Sequence, residues 1–209
     1  MELLIGSTFA IIIPIYLIFV KEKYKSNNFK DLWLSIVVGL LVFLSALAIQ
    51  FFLELIFKPN DFFNAFTIIA ATEEGLNFLL VYLLIIKSKK QSSEYDMINI
   101  LLLTSLSFAL VENIVYVNFY YESMGMEVAF LRLYTAIPMH AICGISMGYL
   151  IFNYKQTNNK LYLILAILIP LIMHGSYDYF LFIDMIINSL LVLIFSIIIH
   201  MRALKSYFI

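Results

Sequence analysis

The sequence predicts an all-α fold, a polytopic transmembrane helical bundle of about seven spans with its N-terminus outside and its C-terminus cytoplasmic. Three observations predict it. Hydrophobic residues make up 63% of the 209 and charged residues 13%, where a soluble domain is nearer half apolar and a quarter charged. Mean hydropathy is +0.97. The few charges are gathered between apolar runs of about 20 residues, the length a helix needs to cross the hydrocarbon core.

Taken in order, the expected spans are Leu3–Val20, Leu32–Phe57, Phe62–Ile86, Met97–Asn118, Val128–Phe152, Leu161–Leu181 and Ile183–Leu204. The first begins after the acidic Met1-Glu2, is long, and is followed rather than preceded by basic residues, so it reads as a span and not as a cleaved signal. The last two are joined so closely through Phe182-Ile183-Asp184 that they should form a helical hairpin. No repeat, linker or low-complexity tract interrupts residues 1–209, which read as a single integral membrane domain with a functional core at about 62–181.

Basic residues set the orientation, because cytoplasmic connections carry an excess of Lys and Arg. Lys21, Lys23, Lys25, Lys30, Lys87, Lys89, Lys90, Lys155, Lys160, Arg202 and Lys205 all fall on one side. Lys58 falls opposite, and Arg132 lies within a span. The connection after the fourth span holds Glu122 and Glu127, and its entry Phe119-Tyr120-Tyr121 suits an interfacial aromatic belt, as does Trp33 at the other face. This is the pattern of a multi-pass integral membrane protein whose surroundings are the lipid bilayer. The net charge of −1 offers nothing to nucleic acid. The one cysteine, Cys143, excludes an intrachain disulfide framework and reads as a small packing residue.

Against this apolar background, polar groups at depth stand out. A central acid costs about 2.5–3.5 kcal/mol on insertion scales, which makes it a functional candidate by default. The third span carries Glu73 and Glu74 side by side, with Asn77 one turn on. The fourth reads Phe108-Ala109-Leu110-Val111-Glu112-Asn113, then Tyr116. The fifth has Arg132 and His140, and the sixth has His174 and Asp178. The first and second spans lack a comparable central group. Residues three or four apart share a helix face, so Glu73 aligns with Asn77, Glu112 with Phe108 and Tyr116, and His174 with Asp178. At about 1.5 Å per residue, Glu73 and His140 lie ~17–18 Å below the outer boundary, and His174 and Glu112 ~9–11 Å below it. These groups can meet in one cavity that opens outward. Asp178 either orients His174 or pairs with Arg132, and Arg132 suits a structural or substrate-positioning role. Pro138 and Pro170, just before the histidines, should loosen the local helix hydrogen bonds.

Carboxylates and imidazoles in a wet cavity suit hydrolysis. A Glu can take a proton from water, and imidazoles, or a metal they hold, can stabilise an oxyanion. Two imidazoles and a carboxylate also suit Zn²⁺ with a separate Glu as base. Glu112, His140 and His174 are the candidate ligands, and Glu73 or Glu74 the candidate base. Two other classes fit less of the pattern. A non-catalytic scaffold would need neither paired acids nor paired imidazoles, and an ion-coupled transporter would be expected to show a repeated half-structure.

The ordered set Glu73-Glu74, Phe108-x-x-x-Glu112-Asn113 with Tyr116, Arg132 and His140, then His174-x-x-x-Asp178, resembles the PrsW group of intramembrane proteases, across about residues 65–180. That group is similar to the superfamily of CAAX prenyl proteases and bacteriocin-processing membrane proteases. The resemblance implies catalytic roles for Glu73, Glu74, His140 and His174, with Asn77, Phe108, Asn113, Tyr116, Arg132 and Asp178 in support. It further implies cleavage of a membrane-anchored protein substrate near the extracytoplasmic side, of the kind seen when an anti-sigma factor is cut in signalling. The group's first motif is Glu-Glu-x-x-Lys, and here Asn77 stands at its last position.

Overall fold

The computed structural model describes residues 29–87, 93–117 and 125–201. The described residues are helical, with no strand among them. Five helices are long and apolar enough to cross a membrane, and a sixth apolar helix is shorter. The expected span Leu3–Val20, the aromatic run Phe119-Tyr120-Tyr121, Glu122, and the basic residues Lys21, Lys23, Lys25, Lys89, Lys90, Arg202 and Lys205 lie outside the described residues.

Helix α1, Phe29–Ile56, has 28 residues and so runs about 42 Å. Most of its outer face is bare Leu, Ile and Phe, which is the surface a bilayer would cover. Helix α2 spans Asp61–Ile86. Asn60 caps its start by accepting from the Phe63 amide at 2.8 Å, and the α-helical stretch Ala71–Val81 is flanked by wider π-helical turns at Asn64–Ala70 and Tyr82–Ile86. Such turns concentrate at functional sites, and here the first stands directly before the paired acids.

Helix α3, Glu94–Val115, opens with a capping box between Ser93 and Asp96. It is the central helix, with 78% of its apolar window buried where no other span exceeds 50%. Helix α5, Ala136–Thr157, packs along it through Gly144 and Gly148. A Cβ on Gly148 would stand 2.7 Å from Ile98 Cα and 2.8 Å from the Met97 carbonyl, so only glycine permits this approach, as small residues do generally between membrane helices.

The fifth expected span is broken in two. Helix α4, Gly125–Tyr134, stops one residue before α5 begins, and Thr135 between them has φ −125° and ψ −66°. Pro138 accounts for this, since it has no amide to donate to the Tyr134 carbonyl and its ring crowds that turn. Pro170 does less. Helix α6, Leu161–Phe182, runs through it without interruption.

Helix α7, Ile186–Ile199, is shorter than the expected 183–204 at 14 residues. It does form the expected hairpin with α6. The turn is closed by Asp184 at φ 58°, by the Met185 amide donating to the Phe180 carbonyl at 2.8 Å, and by the Ser189 hydroxyl donating to the Tyr177 carbonyl at 2.7 Å.

The main apolar core joins α1, α2, α3, α5 and α6 around Val42, Ile86, Leu101, Met147 and Ala166. It fills the half of the bundle where α2 and α5 end, and there Lys155 Nζ donates to the Ile86 carbonyl at 2.9 Å. The polar groups collect in the other half.

Candidate active site

Two ion networks meet edge to edge inside the bundle. In the first, Glu112 near the end of α3 accepts from Arg132 of α4 at 2.5 Å and lies 3.0 Å from His140 Nε2 of α5, all through Oε2. Arg132 also donates from Nε to Asn113 Oδ1, and its guanidinium lies 4.0 Å over the Tyr116 ring. Arg132 stands on α4, one turn before the break at Thr135. Thr135 itself donates to the Leu131 carbonyl at 2.8 Å and accepts from the Tyr177 hydroxyl at 2.8 Å.

In the second network His174 of α6 is ringed by acids. Its Nδ1 lies 3.0 Å from Glu74 Oε1, and its Nε2 lies 3.3 Å from Asp178 Oδ2 and 3.9 Å from Glu73 Oε2. The two networks join where the His140 and His174 rings meet at 80° with centroids 4.8 Å apart. Phe108 closes the far side of His140, its ring centroid 5.2 Å away. Both imidazoles and both paired acids are buried.

A small cavity of about 60 Å³ reaches this junction between α1, α2 and α3. Its lining includes Gln50, Glu73, Glu112 and Tyr116, with apolar walls from Phe43, Leu47, Ile69 and Val115. A volume of that size accepts water, given polar partners. Of the paired acids only Glu73 lines it.

The structure therefore brings Glu73, Glu74, Glu112, Asn113, Arg132, His140, His174 and Asp178 into one constellation, flanked by Phe108 and Tyr116. Asp178 faces His174. Asn77 does not join: it donates to Ser105 Oγ at 2.8 Å, tying α2 to α3 one turn below. Cys143 lies buried with Sγ 3.8 Å from the Pro170 carbonyl. Arg132 is held by Glu112 and Asn113 instead of reaching toward the membrane surface.

One contributor is absent from the sequence expectation. Gln50 of α1 donates from Nε2 to Glu73 Oε1 at 3.0 Å and to Thr72 Oγ1 at 3.1 Å. Ranking spans by ionisable groups passes over it and leaves α1 outside the functional core at 62–181. A faint signal exists, since Gln50 is the single amide or charged side chain between Asp31 and Glu54.

The donor set can be tested against a metal ion. One ligand atom each from Glu73, His140 and His174 lie within 4.8 Å of one another, and the buried Glu73 Oε2 has no hydrogen-bond partner. His140 turns Nε2 to Glu112 and His174 turns Nδ1 to Glu74, which is how metal-ligating histidines are commonly oriented, while His174 Nε2 also lies 3.3 Å from Asp178 Oδ2. Two imidazoles and a carboxylate fit Zn²⁺ in type and number. The carboxylate in this group is Glu73, where the sequence expectation names Glu112, whose Oε2 is instead taken up by Arg132 and His140.

The profile described as PrsW family intramembrane metalloprotease matches residues 28–202. Protease PrsW of Clostridioides difficile (strain 630) is 30% identical over 222 residues, covering 99% of this chain and 92% of the relative. Protease PrsW of Oceanobacillus iheyensis is 33% identical over 174 residues, covering 78% of this chain and 75% of the relative. Protease PrsW of Bacillus subtilis (strain 168) is 28% identical, with the same two coverages of 78% and 75%. No solved structure matches the chain. With a match that runs through every helix bearing on the constellation, the chain belongs to the PrsW family of intramembrane metalloproteases and is a multi-pass membrane protease.

Proposed function

We propose that this protease hydrolyses a peptide bond of a single-span membrane protein, of the anti-sigma-factor kind, near the extracytoplasmic face, with Glu73 as the residue that handles the attacking water. The observation that carries this reading is the position of Glu73, the one paired acid that both lines the cavity and stands beside His174.

Glu73 Oε2, free of hydrogen bonds, is available to take a proton from water in the cavity and later return it to the leaving amine. His174 is held by Glu74 and Asp178, and His140 by Glu112, so the two rings are fixed before substrate arrives. Preorganised groups of this kind favour charge that develops only in the transition state. Arg132 is pinned to Glu112 and Asn113 and keeps that acid in place. A zinc ion, where bound, would be held by His140, His174 and Glu73 and would supply Lewis-acid polarisation of water and of the scissile carbonyl, and Glu73 would then be a ligand in place of the base. The basic residues Lys30, Lys87, Lys155 and Lys160 stand at the helix ends remote from the constellation, which supports a site in the extracytoplasmic half.

Fragment profiling of cells carrying wild type or Glu73→Gln would supply a cleaved single-span reporter. In proteoliposomes Glu73→Gln should then lower its turnover at least about 100-fold with expression unchanged, in the range of lost acid–base catalysis. Glu74→Gln should lose less, because its amide oxygen still accepts from His174 Nδ1. Full turnover by Glu73→Gln would remove it from the chemistry. Purified active protein should carry near-stoichiometric zinc, and activity that survives in metal-free protein would exclude a metal role.

A further inference from the structure

We infer that Gln50 is a positioning residue for Glu73, and that α1 thereby forms part of the catalytic apparatus. The inference rests on Glu73 acting as proposed above and adds the group that aims it.

An ionised carboxylate only accepts, so the Gln50 side chain must turn its NH₂ toward Glu73. Both of its hydrogens are used, one on Glu73 Oε1 at 3.0 Å and one on Thr72 Oγ1 at 3.1 Å. Thr72 can accept because its own hydroxyl hydrogen points back to the Ile68 carbonyl at 2.5 Å. The chain of bonds therefore has one direction, from Gln50 through Thr72 into the backbone of the π-helical turn. With Oε1 occupied, Oε2 is the oxygen left for the imidazoles and the cavity, 3.9 Å from His174 Nε2. Without Gln50 the carboxyl group would be free to rotate about its last bond, and either oxygen could face either side.

Gln50 also lines the same cavity as Glu73, so three roles compete: apolar packing, a polar lining for water or substrate, and donation to Glu73. Substitutions of nearly equal volume separate them. Leucine preserves packing and removes both donors, and glutamate preserves polarity and shape but carries at most one hydrogen, and only when protonated, so neither can serve Glu73 and Thr72 together. Turnover of the single-span reporter in proteoliposomes should fall about 10- to 100-fold in kcat for both Gln50→Leu and Gln50→Glu, the scale expected of a misaligned catalytic group. KM should stay within twofold and thermal unfolding in detergent should match wild type.

Wild-type kcat in either variant would overturn the inference, as would a change confined to KM, which would make Gln50 a substrate contact. Thr72→Val removes only the second anchor and should lower kcat severalfold; an unchanged kcat would refute the directed chain of bonds. If either Gln50 variant unfolds, Thr72→Val decides the outcome alone. The parent reading fails separately, and in the same assay, if Glu73→Gln turns over normally. If Glu73→Gln is inactive while Gln50→Leu is fully active, only the role of Gln50 is lost.

Discussion

Single residues carry the chemistry through their partners. Glu112 shares one oxygen between Arg132 at 2.5 Å and His140 at 3.0 Å, with the side chains of Glu112 and Arg132 only 12% and 13% exposed. Breaking such a buried pair from one side costs about 3–5 kcal/mol, mostly because the surviving charge is stranded, whereas replacing both partners can be close to neutral. Arg132→Met should therefore lower the thermal unfolding temperature sharply, and Arg132→Met with Glu112→Leu should recover most of it. Activity should not return with stability, because His140 would lose the carboxylate that holds its ring. Unfolding curves in detergent, read beside turnover, check both halves, and equal loss in the single and double variants would remove the pair as the cause. At this scale the sequence was informative wherever charge marked the residue. Glu73, Glu74, Glu112, His140 and His174 are conspicuous in apolar runs because each is costly there. Gln50 is neutral and far less costly, so its importance shows only once α1 is laid against α2.

At the scale of helices the bundle depends on how closely backbones approach. Gly148 admits the backbone of α3, where a Cβ would meet Ile98 Cα at 2.7 Å, and that contact sets the distance between His140 on α5 and Glu112 on α3. Gly75, next to the paired acids, has nothing within 4 Å of its would-be Cβ. The two glycines should respond oppositely. Gly148→Leu forces α3 and α5 apart, with a loss of about 1–3 kcal/mol or more from overpacking, and turnover should fall with it. Gly75→Ala stabilises a helix interior by roughly 0.5–1 kcal/mol and should leave turnover unchanged. A stable, active Gly148→Leu would show that the α3–α5 spacing is not what holds the site. Helix identity was legible from apolar run length, and the α6–α7 hairpin from its short connection. The break at Thr135 was only partly legible: Pro138 signals a weakened turn, but where the chain bends depends on Arg132 finding Glu112 and Thr135 finding Tyr177, and those contacts join residues far apart in sequence.

For the whole molecule, orientation decides which part of a substrate the constellation can reach. The polar half of the bundle lies toward the α1–α2 connection, residues 57–60, and the apolar core lies toward the α5–α6 connection, residues 158–160. The charge bias favours a cytoplasmic second connection, and on that reading the first should face outward with the site nearer to it. The chain provides a clean way to check this, since its single cysteine, Cys143, is wholly buried and should resist aqueous thiol reagents. Asn60 should not be used for labelling, because it caps α2, nor Asn159, which accepts from the Leu161 amide at the start of α6, but Lys58→Cys adds an exposed thiol on the site side and Lys160→Cys adds one opposite. A membrane-impermeant maleimide applied to intact cells should label Lys58→Cys and spare Lys160→Cys until the membrane is opened. The reverse pattern would put the site in the cytoplasmic half, and the substrate would then have to be cut from inside, whatever the residues of the site can do.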